Sequence, residues 1–441
     1  MATSRGLDRA AFCGWYLKNR RRSRAIFDSV VPGGYTDRPI ALRNPICFYE
    51  GHLPAFSVNT LVKRGLKRPG VDTGYEVLFE RGIDPEDEGA VPGSKAGWPS
   101  RREILAYGEA ADRMIFDALA SAEIEREGDP VLSRGLAAWT ILEHEPMHQE
   151  TLAYMWHRLP RDRKIRPAGA ARPVTQGEPP RAEAVRIPAG RASLGVAPEE
   201  RPFAWDNELP GLMVDVPAFS VDAHSVTNRD FHEFVEAGGY DREELWSEEG
   251  WLWRTKHRVS HPVFWERRNG SFTWRGQWED VPLPPAWPVY VSQAEASAYA
   301  RWRGRRLPTE AEYHRAAFGT PAGRERAFPW GDEPPDESRG NFDFRHADPV
   351  PAGSHPAGAS AWGVHDLVGN GWEWTSTVFE GFPGFQPLPS YPNYSADFFD
   401  GKHYVLKGAS PATAKELVRR SFRNWFRGNY PYVYAKFRCA S

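Results

Sequence analysis

Cysteine is scarce: Cys13, Cys47 and Cys439 lie far apart and are odd in number. Such spacing makes no disulfide framework, so a reducing cytoplasm is expected. No run approaches the ~18 apolar residues of a membrane span, and residues 1–5 lack an apolar signal core. No membrane partner is expected. Charge of either sign is not in excess, with 56 Lys and Arg against 58 Asp and Glu and a formal net charge of −2. That balance excludes nucleic acid or an anionic membrane as the main partner. There is no internal repeat and no low-complexity segment.

What is present is an ordinary globular balance, 41% hydrophobic and 26% charged, over 441 residues. A chain of that length is expected to form two or three domains. Aromatic residues are plentiful, including 18 Trp, and they concentrate after Trp205.

The chain is organised around Glu143-His144-Glu145-Pro146-Met147-His148-Gln149-Glu150. Two histidines four apart lie one turn from each other on one helix face and can reach a single metal ion. Asp129-Pro130 reads as an N-cap and a first helical residue. Leu132, Leu136, Trp139 or Thr140, His144, His148, Leu152 and Met155 then recur at steps of three or four. Pro146 should kink this helix, because it removes one backbone donor. A lone pair of this kind also fits two hydrogen-bonded core histidines. Glu143, Gln149 and Glu150 around it, and His52 upstream, turn the reading toward a metal site with partners that orient the ligands.

Four helical segments are expected in residues 1–165: 8–31, 44–66, 104–127 and 129–157. Ser100 with Glu103 forms a capping-box pattern before the third. His52 on the second helix and the pair on the fourth describe a bundle with a metal site between facing helices. The basic run 18–22 reads as a solvated face. Residues 166–184 are rich in Pro and Gly and read as a linker. Residues 185–441 form a second domain with short strands, irregular loops and few helices. Strands are expected at 218–222 and 288–292. Helices are expected to start at Thr227 or Asn228, at Gln293 and near Thr309.

Several motifs carry a specific resemblance. Val226-Thr227-Asn228, Arg306-Leu307-Pro308-Thr309-Glu310-Ala311-Glu312-Tyr313, Trp330-Gly331-Asp332, Gly369-Asn370-Gly371-Trp372-Glu373-Trp374 and Phe437-Arg438-Cys439-Ala440 resemble the formylglycine-generating-enzyme-like domain. That family has a C-type-lectin-like, mixed α/β fold. Gly51-His52 and the 143–150 stretch resemble the DinB-like helical domain of the iron-dependent sulfoxide synthases. The two in this order resemble the ergothioneine, ovothiol and selenoneine synthase family. The implied fold class is α+β, a DinB-like four-helix bundle followed by the mixed α/β domain. Formylglycine chemistry itself is disfavoured, because it uses a close cysteine pair and only Cys439 lies in this half.

The resemblance implies a nonheme Fe(II) enzyme that uses O2 to join a sulfur or selenium donor to an imidazole carbon of hercynine. His52, His144 and His148 would hold the iron. Imidazole alone suits iron, zinc and copper alike. Tyr394 would be the catalytic tyrosine, and Gln149 would hold the substrate imidazole. Arg423, Asn424, Trp425, Arg427 and Tyr432 would line the donor side. Tyr432-Val433 stands where users of γ-glutamylcysteine carry Trp-Asp, which leans toward cysteine or a selenosugar as donor. An ovothiol-type histidine–cysteine synthase and a non-catalytic lectin-like binder are the alternatives.

Overall fold

The computed structural model describes residues 7–80 and 97–441. They form two compact units. The first runs to Gly169 and also takes in the short segment Leu388–Pro392; the second holds Ala170–Pro387 and Asn393–Ser441. The expected irregular stretch 74–87 is described only as far as residue 80.

The first unit contains α1 (Arg9–Asp28), α2 (Ile46–Ser57), α3 (Thr73–Leu78), α4 (Arg101–Ser121) and α5 (Leu136–Arg158). Asp8 caps α1 by accepting from the Ala11 amide, and Ser100 with Glu103 closes a capping box on α4. α2 does not stop at Ser57 but passes into a π-helical segment, Val58–Gly65. π-turns of this kind recur at functional sites.

One expectation about α5 changes. Its start is Leu136 rather than residue 130, because Asp129 accepts from the amides of Val131 and Leu132 in a turn. Arg134 and Gly135 then take left-handed conformations, φ 54° and 69°. Pro146 does not interrupt the helix. Its ring leaves the Leu142 carbonyl without an i+4 donor, and Asn19 of α1 donates to that carbonyl from Nδ2 at 2.9 Å. The missing bond is made across the helix pair instead.

Ion pairs fix the other seams. Arg101 at the start of α4 holds Glu50 of α2 at 2.9 and 3.0 Å. Arg20 of α1 joins Asp112 of α4 at 2.8 Å and Glu145 of α5 at 2.9 Å. Charges this buried need such partners.

The second unit carries β1 (Ala184–Ile187), β2 (Gly190–Leu194), β3 (Leu212–Val216), β4 (Phe219–Asp222), α6 (Asn228–Glu236), α7 (Glu248–His257), β5 (Trp265–Arg268), β6 (Ser271–Arg275), β7 (Asp280–Pro282), α8 (Gln293–Trp302), α9 (Glu310–Phe318), β8 (Gly371–Val378), β9 (His403–Ala409), β10 (Asn424–Arg427) and β11 (Ala435–Lys436). A four-stranded sheet runs β10-β9-β8-β11, with β11 parallel to β8. Two-stranded ribbons β1-β4 and β2-β3 and the meander β5-β6-β7 complete the sheets. Thr227, Ser292 and Thr309 each close a capping box. Residues 288–292 are extended but form no strand; the Val289 and Val291 amides donate to Val226 and Ala435 across loops.

The Trp372-Glu373-Trp374 motif is explained by packing. Both indoles are fully buried, and Glu373 between them is paired with Lys436 at 2.9 Å and with Arg438.

Candidate metal centre

His52 of α2 and His144 and His148 of α5 converge in the first unit. One ligand nitrogen from each lies within 4.8 Å of the others. His52 Nδ1 lies 2.8 Å from the Phe79 carbonyl and donates to it, which fixes the tautomer and leaves Nε2 as the lone-pair atom. That Nε2 lies 3.3 Å from His148 Nε2. His144 Nε2 and His148 Nδ1 are buried without a hydrogen-bond partner.

The glycine before His52 makes this geometry possible. A Cβ at Gly51 would lie 2.5 Å from the Phe79 ring. Only glycine lets Phe79 approach closely enough for its carbonyl to reach His52.

Burial removes the proton from all three rings. It pushes His52 down to about 4, the Phe79 carbonyl opposing only in part. His144 is held well below the ordinary histidine range by burial and then by the other two imidazoles. His148 is lowered likewise, by burial, His52 and the Arg43 charge. Three neutral imidazoles, with His52 Nε2 facing His148 Nε2 and His144 Nε2 buried without a partner, fit a metal ion. The set suits Fe(II), Zn(II) or Cu(II).

Aromatic rings wall the cluster. Phe56 stacks flat on His144, with centroids 3.5 Å apart and planes at 9°. Phe48 stacks on His52 at 5.4 Å, and Tyr49 lies 5.9 Å from His148. Tyr391, in the Leu388–Pro392 segment, stands edge-on to Phe56 at 5.0 Å and to His144 at 6.1 Å.

Tyr391 was not singled out from the sequence. Tyr394, three residues on, was. Tyr394 belongs to the second unit, against Trp205 at 4.1 Å and Trp425 at 5.1 Å. The run Pro389-Ser390-Tyr391-Pro392 held the only available signal, a tyrosine stiffened by flanking prolines.

Two expected substrate residues make bonds to the framework, although Gln149 Oε1 is buried without a hydrogen-bond partner. Gln149 faces α1 rather than the triad, its amide donating to Asn19 O and Ser23 Oγ at 2.9 Å each. It lies one position past His148, which turns it about 100° round the helix. Arg423 is buried and clasps Glu310 at 3.0 and 3.1 Å, with further bonds to the Asn207 and Glu380 carbonyls.

The remaining donor-side residues lie on or after β10. Trp425 stacks on Phe379 at 4.3 Å. Asn424 accepts from the Trp425 amide at 2.9 Å. Arg427 is half-buried, and Tyr432 stands edge-on to Tyr430 at 5.2 Å. Val433 is fully buried. A side chain there belongs to the core, so the comparison of Tyr432-Val433 with Trp-Asp rests on Tyr432 alone.

Among the described residues no helix is long and apolar enough to cross a membrane. Residues 169–441 match the family of the sulfatase-modifying factor enzyme 1-like domain. Hercynine oxygenase of Mycolicibacterium thermoresistibile is 39% identical over 407 residues, 87% of this chain and 84% of that protein. Hercynine oxygenase of Mycolicibacterium smegmatis is 38% identical over 318 residues, 70% of this chain and 71% of that protein. Ergothioneine biosynthesis protein 1 of Neurospora crassa is 30% identical over 482 residues, 90% of this chain and 54% of that protein; the chain spans about half the length of this fungal relative. With a sulfatase-modifying-factor-like second unit and likeness to these proteins over most of its length, the chain belongs to the enzyme family of the hercynine oxygenases and ergothioneine biosynthesis protein 1.

Proposed function

We propose that this chain is a nonheme Fe(II)- and O2-dependent synthase that joins a sulfur or selenium donor to an imidazole carbon of hercynine. The observation that carries the reading is the uncharged triad of His52 and His144, both buried, and His148, half-buried, in a chain similar to hercynine oxygenases. With a thiol donor the reaction balances as hercynine plus RSH plus O2 to the sulfoxide plus water. The imidazole C–H and the S–H bonds break, C–S and S=O bonds form, and O2 takes up four electrons.

The three histidines would hold the iron, and iron there supplies the O2 chemistry that an unreactive imidazole C–H requires. The residues do the rest. The Phe79 carbonyl orients His52. Phe56 and Phe48 lie flat on His144 and His52 and keep water from those ring faces. Reducing O2 consumes protons, and Tyr391, beside His144, is proposed as the hydroxyl that holds and donates one.

In the second unit Trp425, Asn424, Arg427 and Tyr432 are the proposed substrate-side residues. Aromatic faces hold a quaternary ammonium, worth about 0.5–2 kcal/mol each, and the half-buried Tyr394 and Trp425 are the rings proposed for it. With Arg423 tied to Glu310, Arg427 is the guanidinium proposed to meet a substrate carboxylate.

The test is aerobic incubation with Fe(II), hercynine and, in separate reactions, cysteine, γ-glutamylcysteine and a selenosugar, read by mass spectrometry. Free histidine replaces hercynine as control. Product from hercynine with at least one donor is expected. Product from histidine alone would move the reading to the ovothiol type; none with any pair would overturn the synthase.

A further inference from the structure

We propose that Thr140 is a positioning residue that sets Tyr391 against the metal centre through Ser390. This rests on the role proposed for Tyr391 and adds how the fold holds that hydroxyl in place.

Thr140 lies four residues before His144, so it occupies the same face of α5, one turn below the ligand. Its Oγ1 meets Ser390 Oγ at 2.7 Å, and both side chains are buried. It donates to the Leu136 carbonyl at 2.8 Å, which leaves Ser390 Oγ to donate to Thr140. A threonine hydroxyl has one proton and two lone pairs, so it can serve both partners at once. On the other flank, Arg64 of the π-helical segment donates from Nη1 to the Ser390 carbonyl at 2.9 Å. Ser390 is therefore held from α5 by its side chain and from the continuation of α2 by its backbone. Those are the two elements that carry the histidines.

Tyr391 is the next residue, and Pro392 fixes the backbone beyond it. A peptide pinned at Ser390 leaves Tyr391 little more than its own two side-chain torsions. Its ring then rests edge-on to Phe56, which itself lies flat on His144. A hydroxyl that must deliver a proton at one point gains rate from being held there, and a displacement of ~1 Å costs about 10²-fold.

The experiment compares the Fe(II)-loaded wild type with Thr140→Val, Thr140→Ser, Tyr391→Phe and the double variant Thr140→Val with Tyr391→Phe. Steady-state kinetics use hercynine and the best donor of the panel, with iron content measured for each protein. Thr140→Val is expected to keep one iron per chain and its KM for hercynine within about twofold. Its kcat should fall by about 10–10²-fold, because only the placement of the hydroxyl changes. Thr140→Ser should restore most of that loss. In the Tyr391→Phe background the Thr140→Val change should have no further effect, since it would have no hydroxyl left to place.

A second loss of the same size in the double variant would show that Thr140 acts independently, and overturns the proposal. So does unchanged kcat in Thr140→Val beside a large loss in Tyr391→Phe; the role of Tyr391 would then stand without this clamp. Full activity in Tyr391→Phe overturns the role itself. If Thr140→Val does not fold, the exposed Arg64→Met replaces it in the same cycle, with the same expected pattern.

Discussion

His52 offers its Nε2 only because its Nδ1 is engaged by Phe79, and Phe79 reaches it only because residue 51 has no side chain. Gly51→Ala would push the Phe79 ring away and free the imidazole to turn. The expected result is a loss of about 10–100-fold in Fe(II) affinity with the helical content retained, as for other losses of a group that orients a ligand. Anaerobic titration measures it; unchanged affinity would show that Phe79 does not orient the ligand. At this scale the histidine cluster was legible in the sequence and its support was not. The four-residue spacing of His144 and His148 reports its own geometry. The carbonyl of Phe79, 27 residues beyond His52, leaves no pattern at all. Gln149 shows how adjacency misleads about direction. It is adjacent to a ligand in sequence, and adjacency on a helix points a side chain to a different face, here toward Asn19 and Ser23.

An element can carry a flaw that its neighbour repairs. Pro146 interrupts the bonding of α5, and Asn19 of α1 supplies the missing donor to Leu142. Asn19→Ala leaves that buried carbonyl unsatisfied, at a cost of about 1–3 kcal/mol. Introducing Pro146→Ala restores a backbone N–H to the Leu142 carbonyl and should recover part of the loss. Chemical denaturation of the four proteins in that cycle measures it; equal losses with and without Pro146 would contradict the repair. The capping box at Ser100 was readable because it is written in residues three apart. The continuation of α5 through Pro146 and the absence of a strand at 288–292 have one reason. Each depends on partners distant in sequence, Asn19 in one case and the Val226 and Ala435 carbonyls in the other. The π-helical Val58–Gly65 likewise had no local signature.

At the scale of the whole molecule, the second unit is held by buried carboxylates with fixed partners. Burial alone would raise Glu208, but Arg419 at 2.5–2.8 Å, with Ser421, holds it below the ordinary glutamate range. Arg438 and Lys436 do the same for Glu373. A carboxylate with a depressed pKa in the fold is protonated first in the unfolded chain. Its contribution is therefore complete above the unfolded value of about 4.3 and is lost as pH falls through the lower folded value. Unfolding free energy should fall steeply below about pH 4.5, and Glu208→Gln should flatten that dependence. Equal slopes for the two proteins would contradict the assignment.

The change from a helical to a mixed α/β pattern was visible in the sequence, while the two units divide at Gly169 and Ala170, inside the stretch read as a linker. The return of Leu388–Pro392 to the first unit was not, because nothing in five residues shows which core they will join. That return brings Tyr391 to His144, and the proposed chemistry depends on a metal ion at the same place. The most direct test is iron stoichiometry after anaerobic Fe(II) loading and desalting, for the wild type, His52→Ala and His148→Ala. One iron per wild-type chain is expected, with almost none in either variant and loss of turnover in both. Iron retained at full stoichiometry in His148→Ala would contradict the metal centre.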